Sequence, residues 1–488
     1  MACRIAIIGA GIVGSAVARE LTKYEGLEVC IVEKEADVGW GASKANTGIL
    51  HSGYDDDPGQ FPKRARLCRA GNELWHKLAE ELQIPVKWCG ALVLAFNEHE
   101  RKVLADLLLR GKINGVQGLR IIERETIQEL ESNASQEAVE ALWAPTSGII
   151  SPYEATIALV ENAAENGAKL YLETVAKKIV VRNRSVVGIE TDRGFLGADF
   201  VINASGIFGD ILSRTAGVSN FSIRPRRGEY FLFDRDSKPK VGMTLFPAPR
   251  PETKGVVVTQ TTDGNLLVGP NAKDLEETER ESTQTTREGL EEVWKEASRL
   301  VRGLPPRGAA MRTFAGLRPE PNKGDFIIEA YEEPSGLVNC VGTRSPGLTS
   351  APAIAKEVTK LLVERGTRLE KKRAWVSERR AMTRFRELSS VEKDRLILKD
   401  PSYGKIVCPC ETVTEAEVRE AIRRGAGTLD SIKFRTRAGM GRCQGSFCLA
   451  KLLILLEKET GRRVEDITAK GNGSKIVVGK VRPEHGTE

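Results

Sequence analysis

Three glycines near the start of the chain constrain it more than any other feature of its 488 residues. Residues 4–8 have the short apolar pattern of a buried strand. They lead into Gly9-Ala10-Gly11-Ile12-Val13-Gly14, after which residues 15–24 read as a helix. Residues 28–33 read as a second strand that ends on Glu33, 24 positions after Gly9. Each part has a task in one βαβ unit. Gly9 permits the tight turn, Gly11 lets the backbone approach a pyrophosphate, and Gly14 lets the helix lie close on the strand. The pyrophosphate sits at the helix N-terminus and Glu33 accepts ribose hydroxyls. A lone GxGxxG is a weak signal. Strand, motif, helix, strand and terminal acid in this order argue against a bare glycine-rich turn. The motif by itself does not separate FAD from NAD.

Composition bounds the rest. With 41% hydrophobic and 29% charged residues the chain is globular rather than disordered, and its length predicts two or three domains. No apolar run reaches the roughly 18 residues that span a bilayer, so an integral membrane protein is excluded. The net charge of +6 is unevenly spread. Residues 365–405 hold 13 Lys/Arg against 6 Asp/Glu, and residues 406–488 hold 15 against 11, which leaves residues 1–364 net negative. The middle stretch has few glycines and no aromatic stacking pattern, so it reads as a solvated helical linker rather than a nucleic-acid surface. Residues 5–18 follow Arg4 and could imitate a signal peptide, but their spaced glycines mark mature structure. The expected compartment is the cytoplasm, with peripheral attachment to the inner face of the membrane as the alternative.

The cysteines are equally uneven. Of nine, five (Cys3, Cys30, Cys68, Cys89, Cys340) are scattered and four form Cys408-Pro409-Cys410 and Cys443-Gln444-Gly445-Ser446-Phe447-Cys448. The odd count and irregular spacing argue against a disulfide framework. Four thiolates in a CxC and CxxxxC arrangement suit a [2Fe–2S] cluster. Zinc is the competitor, but its paired ligands are usually separated by two to four intervening residues, which a CxC pair fits poorly. Thr414-Glu415-Ala416-Glu417 starts a helix with a good N-cap and early acids. A second helix opening near Ser446 and running to residue 458 puts Cys448 in its first turn, where the helix dipole favours thiolate.

Several longer segments carry a resemblance. They are Gly39-Trp40-Gly41-Ala42-Ser43-Lys44-Ala45-Asn46-Thr47-Gly48-Ile49-Leu50-His51-Ser52-Gly53, Val201-Ile202-Asn203-Ala204-Ser205-Gly206, Phe314-Ala315-Gly316-Leu317-Arg318-Pro319 and Gly342-Thr343-Arg344-Ser345-Pro346-Gly347-Leu348-Thr349. In this order they resemble the FAD-dependent oxidoreductases of the glycine oxidase and glycerol-3-phosphate dehydrogenase superfamily, over residues 1–360. Ser205 stands where that family more usually has Thr. The run Gly439-Met440-Gly441-Arg442-Cys443-Gln444-Gly445 resembles the bacterioferritin-associated ferredoxin-like [2Fe–2S] domain, with Cys408, Cys410, Cys443 and Cys448 as the implied ligands.

The resemblance implies an α/β plus β fold. An FAD-binding Rossmann-like domain is interleaved with a mixed-sheet substrate domain over residues 1–364, the substrate part lying mainly in 75–145 and 216–310. A basic linker (365–405) and a small α-helical [2Fe–2S] domain (406–488) follow. The implied FAD contacts are Gly9, Gly11, Gly14, Glu33, Lys34, Ser43, Asn46, Thr47, Gly48, Val175, Ala204, Gly206, Gly342, Gly347, Leu348 and Thr349. The local reading puts a helix at 153–167, a small hairpin at 170–191, a strand at 199–204, further strands within 222–270 and a helix over 282–301.

Flavin-dependent oxidation needs a group that handles the substrate proton and cations that hold an anionic substrate. Of four histidines, His51 alone lies in a flavin-lining segment, as a base, a hydrogen-bonding group or a structural contact. His76 and His99 sit in surface-like helices, and His485 is in the tail. Arg318, Arg344 and Arg227 are the candidate anion binders, since guanidinium offers paired donors to carboxylate or phosphate. Arg224 and Arg226 read as surface or salt-bridge residues, and Tyr54 and Tyr230 as further lining. The resemblance implies oxidation of glycerol 3-phosphate to dihydroxyacetone phosphate, in an oligomer, with electrons leaving through the cluster to a partner subunit or quinone-linked acceptor and with no nucleic-acid partner. A 2-hydroxy acid such as L-2-hydroxyglutarate, an amino acid of the proline or glycine type, and a non-catalytic electron-transfer scaffold stay open as alternatives.

Overall fold

The computed structural model describes residues 3–250 and 253–479. His485 lies outside them. The chain divides into two units, residues 1–34 with 38–380, and residues 35–37 with 381–488.

In the larger unit β1 (Cys3–Ile8), α1 (Ile12–Leu21) and β2 (Leu27–Val32) form the expected βαβ start, and β3 (Lys169–Tyr171) and β4 (Phe200–Asn203) extend it. The chain then leaves along β5 (Ile223–Phe233), returns along β6 (Ala310–Pro321), and adds β7 (Ile327–Ala330) and β8 (Leu337–Val341). One six-stranded sheet results, in the order β7-β8-β4-β1-β2-β3. All of its pairs are parallel except β7 with β8. Its central strand is apolar at successive positions because helices cover both faces: Ile5, Ala6 and Ile7 are fully buried. α1 starts three residues earlier than the sequence suggests, since Gly11 itself is its N-cap.

A nine-stranded sheet contains β5 and β6, which pair antiparallel over their whole length, from Ile223 against Pro321 to Phe233 against Ala310. Its other strands come from residues 91–144 and 244–274. Its apolar face packs Leu92, Phe233, Leu245, Val258 and Val293 into one core. Two local expectations change. The proposed hairpin at 170–191 is instead a three-stranded meander, Ala176–Arg182, Ser185–Thr191 and Gly194–Gly197, while β3 pairs with β2. A positive φ of 48° at Glu173 separates the two. The helix expected over 282–301 spans only Arg287–Ala297, because the Thr286 side chain accepts the Gly289 N–H and caps it there.

The larger unit also holds helices α2 (Pro62–Glu81), α3 (Pro152–Glu165), α4 (Arg287–Ala297) and α5 (Gly347–Glu364), besides helices at Glu98–Ile113, Arg124–Leu130 and Gly209–Thr215. The basic stretch is divided between the two units. Residues 366–380 carry no helix and are pinned to the larger unit: the Lys372 N–H donates to Lys23 O (2.8 Å), and the Val376 N–H to Asn166 Oδ1 (2.9 Å). Trp375 lies under the cations of Arg19 and Lys23. From residue 381 the chain belongs to the smaller unit. Phe385 is buried there and its N–H donates to Glu417 Oε1 (3.1 Å). That unit holds α6 (Ser390–Lys399), α7 (Glu415–Arg423), α8 (Leu429–Thr436) and α9 (Leu449–Thr460) around Val418, Ile432, Leu452 and Leu456.

Candidate active site and cluster site

The turn from β1 to α1 is shaped for a phosphate. Gly9 has φ +101°, and a Cβ there would lie 2.6 Å from Ala204 O; a Cβ on Gly14 would lie 2.0 Å from Gly9 O. Only glycine fits both positions. The first turn of α1 carries no acidic side chain, so the positive end of the helix dipole is left for an anion. Ser43 Oγ accepts the Ile12 N–H (2.9 Å), which ties the 39–53 segment to that helix end, and Gly11 approaches the same oxygen. Glu33, at the end of β2, takes the Ala10 N–H (2.7 Å). Its backbone bonds Tyr171 and Thr174, which brings Val175 close. Val175 itself is 41% exposed, and both its N–H and its carbonyl bond Asp192. Lys34 pairs with Glu281 (2.5 Å) and lies over the Phe208 ring. Ala204 and Gly206 follow β4 beside the turn.

The 39–53 segment is held from several sides. Asn46 closes its own turn by accepting the Gly48 N–H (2.7 Å). Thr349, in the first turn of α5, accepts the His51 N–H (2.9 Å) and donates to Ile49 O (3.3 Å). Gly347 begins α5, and Leu348 O and Thr349 O both accept from Trp75 of α2. Gly342, with φ +66°, packs on Pro321 at the end of β6.

His51 is buried, with Tyr54 tilted against its ring at 4.5 Å and Phe246 edge-on at 6.2 Å. Its Nδ1 accepts the Gly53 N–H (3.0 Å), so the neutral ring carries its proton on Nε2. Burial, aided by the Lys254 charge, lowers its pKa to about 4. Lys254 is ion-paired with Asp55 and lies 3.7 Å from Asp56. Against the burial that would raise it, Lys254 and His51 hold the Asp55 carboxyl well below the usual range. Asp56 in turn pairs with the buried Arg64. Lys254 stands in no recognisable motif, and only the fold brings it here. The acids Asp55, Asp56 and Asp57 directly after the flavin-lining segment were the signal available in the sequence. His76 stacks on Trp88 and His99 is exposed, so neither joins the site.

The arginines separate by strand pleat. Arg226, Gly228 and Tyr230 of β5 share a face with their partners Arg318, Gly316 and Phe314 of β6. The Arg318 guanidinium lies over Gly228, where a Cβ would meet it at 2.7 Å, and donates to Asn271 O (3.2 Å). It also bonds the Tyr230 hydroxyl, which reaches Thr47 as well. A Cβ on Gly316 would lie 1.9 Å from Ala45 O, so this face is pressed against the 39–53 segment. Arg344 is largely buried beside Glu320 (2.8 Å), and burial lowers its pKa to about 10. Arg227 is not at the site. It points to the opposite face, where Glu229 holds it at 3.1 Å while also accepting the Thr286 N–H (2.6 Å) at the start of α4. Arg226 and Arg224 are salt-bridged to Asp274 (2.6 and 2.9 Å).

In the smaller unit the four thiols meet in two pairs, Cys408 with Cys448 and Cys410 with Cys443. The bond between Cys408 and Cys448 draws the Cys408 pKa down to about 6 and pushes that of Cys448 up. Cys448 is the N-cap residue of α9, not part of its first turn. No group of three or more such side chains among the described residues closes on a single ion. Four thiols gathered in this way fit a [2Fe–2S] cluster, each iron of which takes two thiolates. The CxC loop is anchored by the buried Glu411, which holds Arg386 (2.6 Å) and Arg437 (2.9 Å).

A family model described as FAD dependent oxidoreductase matches residues 4–361. The chain belongs to that family. A second model, described as BFD-like [2Fe-2S] binding domain, matches residues 406–458. FAD and a [2Fe–2S] cluster are thus the cofactors of this FAD-dependent oxidoreductase. It is 42% identical over 484 residues to a glycerol 3-phosphate dehydrogenase of Caloramator mitchellensis, covering 98% of this chain and 99% of the relative. It is 30% identical to a glycerol 3-phosphate oxidase of Mycoplasma genitalium, over 76% of this chain and 96% of the relative. The solved structure of dithionite-reduced L-alpha-glycerophosphate oxidase from Mycoplasma pneumoniae, with FAD bound, matches with a TM-score of 0.72 at 30% identity, covering 78% of this chain and 98% of that one.

Proposed function

We propose that the chain oxidises glycerol 3-phosphate to dihydroxyacetone phosphate and passes the electrons through its cluster to a separate acceptor, a redox partner subunit or a quinone-linked carrier. The observation that carries this reading is the position of Arg318, on the face of β5 and β6 pressed against the 39–53 segment and bonded to Tyr230. A fixed guanidinium there suits a phosphate. The similarity to a glycerol 3-phosphate dehydrogenase supports it, because that similarity continues through the cluster module.

When bound, FAD supplies the acceptor for the electron pair of the substrate C–H bond, and the cluster supplies a one-electron centre. Oxidation of the secondary alcohol releases two electrons and two protons: one proton leaves with the electron pair toward the flavin, and the hydroxyl proton leaves to solvent, with the His51 Nε2–H stabilising the oxygen it departs from. Arg318 and Arg344 hold the phosphate, and His51 donates from Nε2 to the substrate oxygen. Tyr54 and Phe246 fix the His51 ring and keep water from it. The implied FAD contacts from Gly9 to Thr349 orient the cofactor along the 39–53 segment. No helix among the described residues is long and apolar enough to cross a membrane, and we place the enzyme in the cytoplasm, with peripheral contact to the membrane where the acceptor is quinone-linked.

Anaerobic titration of the flavin absorbance with glycerol 3-phosphate, L-2-hydroxyglutarate and proline tests the reading. Glycerol 3-phosphate bleaches the flavin at the lowest concentration. Bleaching by one of the others alone reassigns the substrate, and a flavin that only dithionite reduces favours the electron-transfer scaffold.

A further inference from the structure

The cluster module exposes apolar side chains that its own folding does not use. In α9 the residues Leu452, Leu453, Leu455 and Leu456 fill the core of the smaller unit. The opposite face of such a helix is ordinarily polar. Here Ile454 is 59% exposed, and Phe447, seven positions earlier and just ahead of the N-cap Cys448, is 71% exposed. Ile406 is 37% exposed, and its carbonyl accepts from Lys451 (3.4 Å). Phe447 also touches the cluster site directly, since its N–H bonds the Cys443 sulfur and its chain neighbour is Cys448. Lys451 and Lys458 are exposed along the same helix face as Ile454. Residues 381–479 together carry 19 Lys/Arg against 13 Asp/Glu.

We propose that this patch, centred on Phe447 and flanked by Lys451 and Lys458, docks a small acidic one-electron carrier protein. The proposal rests on the reading that electrons leave through the cluster. The chemistry fits a transient redox encounter, in which a small apolar centre with one aromatic anchor sits inside a charged rim that steers the partner. A membrane surface is disfavoured because Glu457 and Glu459 interrupt the basic residues, and polybasic membrane segments are clusters of Lys and Arg.

The test uses the full-length holoenzyme and an acidic flavodoxin as the probe. Binding is measured by calorimetry, and electron transfer is measured after reduction by dithionite, so that a mistaken substrate leaves the test intact. Lys451→Glu and Ile454→Ser raise the Kd for flavodoxin about tenfold or more while cluster content and substrate-driven flavin bleaching stay unchanged. Phe447→Ser does the same in molecules that retain the cluster. Raising the salt weakens binding by wild type more than by Lys451→Glu. Four results would overturn the proposal: an unchanged Kd in all three variants, equal affinity for basic cytochrome c, binding to anionic lipid vesicles that Phe447→Ser abolishes, or a dimer that Phe447→Ser dissociates.

Discussion

His51 shows how much a single hydrogen bond decides. A histidine in a flavin-lining segment invites the role of base. Yet its Nδ1 accepts a backbone N–H that cannot turn round, so Nε2 keeps the proton and the ring is a donor. His51→Gln, which can still donate from its amide, therefore retains substrate-driven flavin reduction within about tenfold. His51→Ala loses about 10²- to 10³-fold, the usual cost of removing one preorganised donor. Stopped-flow measurement of flavin bleaching checks both, and equal loss in the two variants would restore the base. The pKa of about 4 adds a stability signature. The unfolded chain, with its histidine at 6.5, binds the proton first, so wild type loses stability as pH falls from 6.5 toward 4. The loss is on the order of 2–3 kcal/mol, and His51→Gln does not share it in urea melts taken across that range.

At the scale of elements, the pleat of one strand decides the faces of two neighbouring arginines, and it turns Arg227, expected at the site, away from the Arg318 face. Arg226 and Arg227 are neighbours in a run of basic residues, and alternation sends them to opposite faces of β5. Arg318→Leu is expected to raise KM for an anionic substrate about thirtyfold or more, the equivalent of about 2 kcal/mol, with the melting temperature little changed. Arg227→Leu leaves KM alone and lowers stability, because it strands the buried Glu229 that holds the start of α4. Steady-state kinetics beside thermal melts separates the two, and a KM defect in Arg227→Leu would put that residue back at the site. The βαβ start was legible because each of its glycines answers to a local requirement. Lys254 was not, since it reaches Asp55 only through the packing of the second sheet against the first segment. Arg344 and Thr349 were legible through a shared segment, but the sequence did not show that Glu320 or the His51 backbone would be their partners.

At the scale of the whole molecule, charge and cysteine spacing marked a C-terminal module from residue 406, where the [2Fe-2S] family match also begins, and the compact unit that contains it takes in part of the basic stretch as well. A basic stretch with few glycines and no aromatic stacking pattern looks solvated, yet Phe385 and Arg386 are used inside the smaller unit, on Glu417 and Glu411. The buried acids that receive them lie 25 or more positions away, beyond the reach of any local pattern. The smaller unit also has an apolar core of its own, built from residues 407–467, as an independently folding unit requires. This separation can be tested by removing one ligand. Serine is a poor substitute for the Cys443 thiolate, so Cys443→Ser leaves the Cys410 pair unable to hold its iron. The iron content and the cluster absorbance are lost, and the thermal transition of the smaller unit falls, because metal binding free energy is folding free energy. Flavin content and anaerobic bleaching by substrate stay at wild-type levels, since no residue of the glycine cradle or of the Arg318 face lies in that unit. Reduction of a protein acceptor stops, while reduction of a small dye that takes electrons from the flavin continues. Equal loss of flavin bleaching and cluster would show that the two units fold and act as one.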